Sequence, residues 1–170
     1  MNTINIQYFK TPYGELLLGE FENNLILCDW RYRKMRKHID TRLQVGLNAQ
    51  YVEKNTEVLK STCTQLNEYF NNERKKFDLP LKLIGTDFQQ QVWNSLIKIP
   101  YGITSNYFQL ASGIGNSKAV RAVANANGAN AISIIIPCHR VIGSNGALAG
   151  YAGGIPTKKK LLDLEKKLFA

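Results

Sequence analysis

Apolar and polar positions alternate in three short runs at the start of the chain, and that alternation predicts an antiparallel meander. The runs are Ile4 to Phe9, Glu15 to Phe21 and Leu25 to Trp30, divided by turns at Pro12-Tyr13-Gly14 and Glu22-Asn23-Asn24. The period then lengthens. Between Asn55 and Asn72, Leu59, Cys63, Leu66 and Phe70 recur at helical spacing, flanked by Val58, Thr62 and Tyr69. Cys63 therefore reads as packing, not chemistry. Phe77 to Ile84 resembles a further strand, and Pro80 suggests a sheet edge because proline cannot donate to a ladder. Gly85 is a reasonable point of division, giving domains over residues 1–85 and 86–170.

The second half is patterned for helices. Thr86 or Asp87 can cap a helix whose face is Phe88, Val92, Trp93, Leu96 and Ile97, ending at Pro100-Tyr101-Gly102. Thr104 can cap a second helix, TSNYFQLASGI, and Gly115-Asn116-Ser117 turns into a third, SKAVRAVANANG. Two short helices joined by a glycine-containing turn have the form of a helix-turn-helix, although such pairs also serve as plain packing units. The third helix is poor in bulk. Ala119, Ala122, Ala124 and Ala126 accompany Val120 and Val123, and one long cation, Arg121, stands among them. Small residues let a helix backbone approach a partner surface closely. Ile132 to Ile136 predicts a buried strand ended by Pro137, Asn145-Gly146 signals a hairpin turn, and a last helix capped by Thr157 runs to Phe169.

Charge and cysteine usage narrow the function classes. The net charge is +9, and the second half carries nine of the 22 Lys and Arg but only three of the 13 Asp and Glu. A polyanionic partner is expected. The basic run RYRKMRK, residues 31–37, needs no function beyond a solvated loop or helix face, and His38 and Cys28 have no chemical neighbours in sequence. Cys28, Cys63 and Cys138 are odd in number and lack CxxC spacing, which argues against a disulfide framework and a structural zinc site. No apolar run approaches the roughly 20 residues needed to span a bilayer, and the opening MNTINIQYFKTPYGE has no signal-peptide pattern. A cytoplasmic protein without membrane association is expected.

Candidate chemistry centres on Cys138, which follows an apolar run and a proline and precedes His139 and Arg140. A thiol attacks as thiolate, and nearby cationic or hydrogen-bonding groups favour that form. Spacing alone also fits a packed cysteine. The last helix adds weight to the chemical reading. Glu165 shares the stripe of Leu161, Leu162, Leu164, Leu168 and Phe169, so its carboxylate falls on the buried face and needs a partner. His139 is one candidate, giving a Glu–His–Cys relay. A salt bridge to a nearby Lys or Arg is the other.

Pro137-Cys138-His139-Arg140-Val141-Ile142 resembles the PCHRV signature of O6-alkylguanine-DNA alkyltransferases. Around it stand FQQQVW (88–93), IPYG (99–102), Tyr107 to Ala111, Arg121-Ala122-Val123, Asn130, Gly146 to Gly154, and Lys158 to Glu165 in the family's terminal pattern. In order and spacing these cover nearly all of residues 86–167; the N-terminal half matches in pattern only.

The resemblance implies an α+β chain: a small ribonuclease-H-like α/β domain, then a helical domain with a helix-turn-helix, winged-helix-like. The activity it implies is direct repair of double-stranded DNA, with one alkyl group moved from O6-alkylguanine, or O4-methylthymine, to Cys138. The protein would be consumed, would act as a monomer and would need neither metal nor cofactor. Asn116, Ser117, Ala119, Ala122 and Val123 would face the DNA, with Arg121 filling the space left by a flipped base; a plain phosphate contact is the alternative for Arg121. Tyr107 would bond guanine N3, carbonyls of Cys138 and Val141 would accept from the exocyclic amine, and the Ala152 N–H would face O6. Tyr151 would line the pocket mouth, Asn130 would fix the turn carrying Cys138, and His139 with Glu165 would supply the relay through a water. Asn106, Ala124 and Ala131 depart from the family's usual Ser, Gly and Pro. Lys158-Lys159-Lys160 reads as solvent-exposed, with a phosphate role as the alternative. The rivals are a non-catalytic binder of alkylated DNA, a helix-turn-helix regulator and a cysteine hydrolase.

Overall fold

The computed structural model describes residues 1–167. It divides into two compact units, Met1–Ile84 and a second beginning at Gly85.

In the first unit the alternating runs become β1 (Asn2–Thr11), β2 (Gly14–Phe21) and β3 (Asn24–Trp30). They pair antiparallel in sequence order. Glu22 and Asn23 both hold positive φ, as a two-residue hairpin turn requires to follow the strand twist. Two elements lie where the sequence showed no period: α1 (Arg36–Leu47) and β4 (Ala49–Glu53), the latter pairing parallel with β1. The sheet order is thus β3-β2-β1-β4. Only Ile39 and Leu43 of α1 are buried, so the helix carries too little apolar signal to announce itself.

Three expectations for this unit are corrected. α2 (Glu57–Phe70), capped by Thr56, buries Leu59, Thr62, Leu66 and Tyr69; Cys63 flanks that stripe half-buried. Residues 77–84 form no strand. They strap the sheet edge instead, with the Leu25 N–H donating to Pro80 O and the Lys82 N–H to Leu25 O. The run 31–37 is not simply solvated. Arg33 and Arg36 each donate to the fully buried Asp29, at 2.9 and 3.0 Å, and Arg36 also reaches Asp40. A buried carboxylate needs such pairing, and these two arginines supply it.

In the second unit Thr86 caps α3 (Asp87–Ile97) with a capping box closed by Gln89. Val92, Trp93 and Leu96 are buried, while Ile97 stays exposed. Gly85, expected to close the first domain, belongs here: a Cβ at this position would stand 2.5 Å from the Trp93 ring. The second helix, α4 (Tyr107–Gly113), is capped by Asn106, not Thr104. The Asn106 side chain accepts from the Gln109 N–H at 2.8 Å. Ser105-Asn106 forms a two-residue strand, β5, parallel to β6 (Val141–Ile142). α5 (Val120–Gly128) starts three residues later than SKAV suggested, without a side-chain cap, and the Trp93 indole N–H pins it by donating to Ala126 O.

Ile132–Ile136 is not a strand. Ile134 has φ +70, and Ile135 and Ile136 bond back to Ser133 O and Ile132 O, so the segment is a buried coil. An apolar run marks burial, not conformation. Asn145-Gly146 turns, but as a loop closed by Gly143 N–H to Ala147 O and not between paired strands. α6 (Ile155–Lys167) begins with Pro156 in its first turn, ahead of Thr157, a position that tolerates the missing N–H. Leu168 and Phe169 lie outside the described residues. Among the described residues no helix is long and apolar enough to cross a membrane.

Candidate active site

Four pieces of backbone converge around Cys138. The buried coil delivers it into a single 3-10 turn, Cys138–Arg140, which packs against α6. Asn130 holds that coil. Its amide donates to Ile132 O and Ile136 O, and its carbonyl accepts from the Ile132 N–H. The β5–β6 pairing sets the start of α4, and hence Tyr107, beside the strand that leaves the turn. Burial pushes the Tyr107 phenol up and the Lys158 ammonium down, and both lie close enough to couple electrostatically with Cys138.

Cys138 is 4% exposed, and His139 and Glu165 are buried. His139 Nε2 and Glu165 Oε2 are 2.6 Å apart. The two partners that sequence left as alternatives for Glu165 are both present, since Arg140 Nε donates to Oε1 at 2.8 Å and Nη2 to Oε2 at 3.1 Å. The Gly102 N–H adds a fourth donor. Burial pushes the Glu165 carboxyl up, but the bonds and charges of His139 and Arg140 outweigh it and hold the acid well below the ordinary carboxylate range. Burial pushes His139 down, more than Glu165 pulls it up. These two directions are compatible because Arg140, not His139, is the permanent countercharge. Glu165 is then an ionised acceptor, Nε2–H must donate to it, and the neutral ring presents Nδ1 as a lone-pair base. Nδ1 is buried and has no hydrogen-bond partner among the described residues.

Lys158 corrects the reading of the KKK run. It is fully buried, and Nζ donates to Val141 O at 2.6 Å, Ala149 O at 3.0 Å and Gly150 O at 3.3 Å. One ammonium thus ties both ends of the loop between β6 and α6. Lys159 and Lys160 are exposed, and Lys159 pairs with Asp163. Tyr151 sits edge-on to the His139 ring with centroids 6.4 Å apart, and Ala152 beside it is half-buried.

Comparison with known proteins adds the decisive observation. The 6-O-methylguanine DNA methyltransferase DNA-binding domain matches residues 87–167, and the ribonuclease-like domain of the same family matches residues 4–83. The methylated-DNA–protein-cysteine methyltransferase of Methanosarcina acetivorans is 45% identical over 92% of this chain and 95% of its own. The constitutive protein of that name from Bacillus subtilis is 43% identical, covering 92% of each chain. The chain belongs to the 6-O-methylguanine DNA methyltransferase family. A crystal structure of Mycobacterium tuberculosis OGT in complex with DNA superimposes with a TM-score of 0.81 at 40% identity, covering 97% of this chain and 93% of that one.

In this methyltransferase chain the residues expected to face DNA separate into two groups. Asn116, Ser117, Arg121 and Ala122 are exposed, and Ala119 is half-buried. Val123 is fully buried in the helical core, so its expected place at the DNA surface is overturned: α5 turns that side inward. Arg121 makes no ion pair or hydrogen bond with the described residues. Tyr107 is half-buried, with its hydroxyl 3.5 Å from Ala149 O. Val141 is buried, and its carbonyl already accepts from Lys158, leaving a second lone pair.

Sequence reasoning missed two members of the cluster. Lys158 lies seven residues before Glu165, two helical turns along the same stripe, which was a legible signal for burial. Arg140 stood in the quoted signature without a role. Among the described residues no group of three His, Cys, Asp or Glu could hold a metal ion.

Proposed function

We propose that this chain repairs double-stranded DNA by moving the alkyl group of O6-alkylguanine onto the sulfur of Cys138, once per molecule. One observation carries the assignment of the acceptor: the 2.6 Å bond from His139 to a carboxylate already neutralised by Arg140, which leaves an uncharged imidazole on the residue that follows Cys138 in the same 3-10 turn.

The chemistry follows from those groups. An alkyl carbon on O6 cannot be attacked in line inside the duplex, so the base is flipped out and Arg121 takes its place in the stack. The exposed, small-residue surface of α5 makes the close approach. His139 Nδ1 receives the Cys138 proton through a bridging water, and Glu165 holds the ring and stabilises the imidazolium that forms. Sulfur attacks the carbon, the carbon–sulfur bond forms, and the carbon–O6 bond breaks with its electron pair returning to the guanine. Tyr107 donates to N3 as that charge develops, and the proton taken from Cys138 onto His139 makes good the one given to the guanine, so base, phenol and imidazole all end neutral. Carbonyls of Cys138 and Val141 hold the exocyclic amine, the Ala152 N–H faces O6, and Tyr151 closes the mouth. The product is a thioether, whose sulfur is a poor leaving group, so there is no second turnover. O4-methylthymine offers the same reacting atoms. Cysteines that form no disulfide suit a reducing cytoplasm, and that is the compartment in which this repair would run.

The test is direct. Excess duplex carrying O6-methylguanine is incubated with the protein, which is then digested and the Cys138 peptide weighed. One added methyl group, a plateau at one equivalent, and no transfer by Cys138→Ser are expected. Continuous turnover, or binding without a modified peptide, refutes the proposal.

A further inference from the structure

Arg140 is buried, and each of its three guanidinium nitrogens has an acceptor. Nε and Nη2 fork onto the two oxygens of Glu165, and Nη1 donates to Ile99 O at 2.7 Å. The turn over residues 99–102 closes around this pair. The guanidinium carbon lies 5.6 Å from the centre of the Tyr101 ring, and Gly102, at φ +78, turns its N–H to Glu165 Oε1 at 3.2 Å. Desolvating an arginine and a carboxylate costs about as much as their attraction returns, and apolar residues of similar volume often serve stability as well. The fork therefore calls for a reason other than stability.

Counting protons supplies one. Glu165 Oε2 and His139 Nε2 stand 2.6 Å apart, so a single proton lies between them. A second proton on Oε1 would meet the Gly102 N–H, itself a donor. On the ring it gives an imidazolium, with both nitrogens protonated. On Oε2 it turns the carboxyl into a donor to Nε2, and a neutral ring must then carry its own proton on Nδ1. Both routes remove the Nδ1 lone pair. Arg140 opposes both, because its charge already balances the acid. His139 follows Cys138 in its turn, and meets Glu165 and Lys158 from α6 and the Tyr151 ring from the loop before that helix. Burial lowers its pKa, Glu165 raises it, and the charges of Arg140 and then Lys158 lower it. The Lys158 ammonium is spent on backbone carbonyls, so Arg140 is the cation bonded to the acid. We infer that Arg140 is a positioning residue for alkyl transfer: its fork, held by the 99–102 turn, keeps the His139–Glu165 pair at one proton and so keeps Nδ1 a base. The inference rests on the proposed transfer to Cys138, in which Nδ1 takes the thiol proton.

The test uses the full chain with Arg140 intact, as Arg140→Met and as Arg140→Gln, each also carrying His38→Gln. His38 is exposed and is the other histidine of the chain, so His139 is then the one imidazole. Two readouts are followed across neutral pH: the single-turnover rate of methyl transfer from an O6-methylguanine duplex, and the nitrogen NMR signal of Nδ1. With Arg140 intact, Nδ1 is bare at neutral pH and gains its proton below the ordinary histidine value of about 6.5. In Arg140→Met the midpoint is expected to rise to about 8, as an uncompensated carboxylate beside the ring can do. Roughly one molecule in ten then holds a bare Nδ1 at neutral pH, and transfer slows about tenfold there. The rate recovers at higher pH with the same midpoint as the ring. Arg140→Gln donates to the carboxylate without a charge; it gives the same rise, and serves alone should Arg140→Met fail to fold. Equal slowing at every pH with the Nδ1 midpoint unmoved shows a structural role and overturns the inference. So does a rate that recovers while Nδ1 stays protonated, since the thiol is then ionising unaided. Absence of transfer with Arg140 intact sinks the parent proposal, while the Nδ1 midpoints still decide the role of Arg140.

Discussion

Replacing Lys158 with Met removes an ammonium while keeping most of the side chain's length and apolar stem. Three bonds are lost, to Val141 O, Ala149 O and Gly150 O. They are not equal. The Val141 contact is buried, so its carbonyl stays dry and unsatisfied, at a cost of about 1–3 kcal/mol. The other two acceptors are part-buried and regain water, leaving a net loss of roughly 0.5 kcal/mol each. Removing a desolvated cation returns some of this, because burial already pushes the Lys158 pKa down. A net destabilisation of about 2 kcal/mol results, which for a chain of this size lowers Tm by roughly 4–8 °C. The loop between β6 and α6 also loses its tie. Differential scanning calorimetry reads the first effect, and limited proteolysis with cleavage between Gly143 and Gly154 reads the second. If Tm is unchanged and the loop resists protease as in the unmutated protein, the ammonium is not the fastener described here and the burial argument is wrong.

Four further outcomes follow. Glu165→Gln leaves Arg140 buried without its carboxylate and costs about 3–5 kcal/mol in chemical denaturation, together with a large loss of transfer rate. Because burial lowers the His139 pKa, the neutral base persists below the ordinary histidine value of 6.5; the acid limb of the transfer rate therefore lies below that pH, and a limb centred above 7 contradicts the assignment. The stability sign is the same for both groups. His139, lowered when folded, contributes stability that is full above about 6.5 and is lost as pH falls, and Glu165, also lowered, adds a second loss below 4.5; urea titrations from pH 8 to 4 should decline in that order. Arg121→Ala, at an exposed position, changes Tm within about 0.5 kcal/mol of equivalent stability but reduces the salt dependence of duplex binding by roughly one counterion.

The sequence was most informative where one physical signal dominated. The meander alternates because each strand has two faces, and a cap at Thr86 or Asp87 was legible ahead of a helical apolar face, which the structure resolves to Thr86 in a capping box with Gln89. It was least informative where burial and conformation part company. Ile132–Ile136 is as apolar as a strand, yet Ile134 takes positive φ because Asn130 and the next residues supply the hydrogen bonds that a sheet would have given. α1 was invisible because its stability comes from Asp29 and Asp40 gripping Arg36 more than from an apolar stripe. Of the site, His139 and Glu165 were legible from a buried carboxylate wanting a partner. That Arg140 shares the acid is a fact of three dimensions. Asn106, noted as a departure from the family pattern, proves to be the cap of α4, a role its residue type fits as well as serine.

The acid that steers the imidazole is 26 residues downstream of it, on the last described helix. A ribosome making this chain from the N-terminus therefore exposes sulfur and ring before the carboxylate that sets the ring's tautomer. Under the proposed mechanism the nascent polypeptide then carries the nucleophile but not the means to activate it, and competence waits until α6 docks.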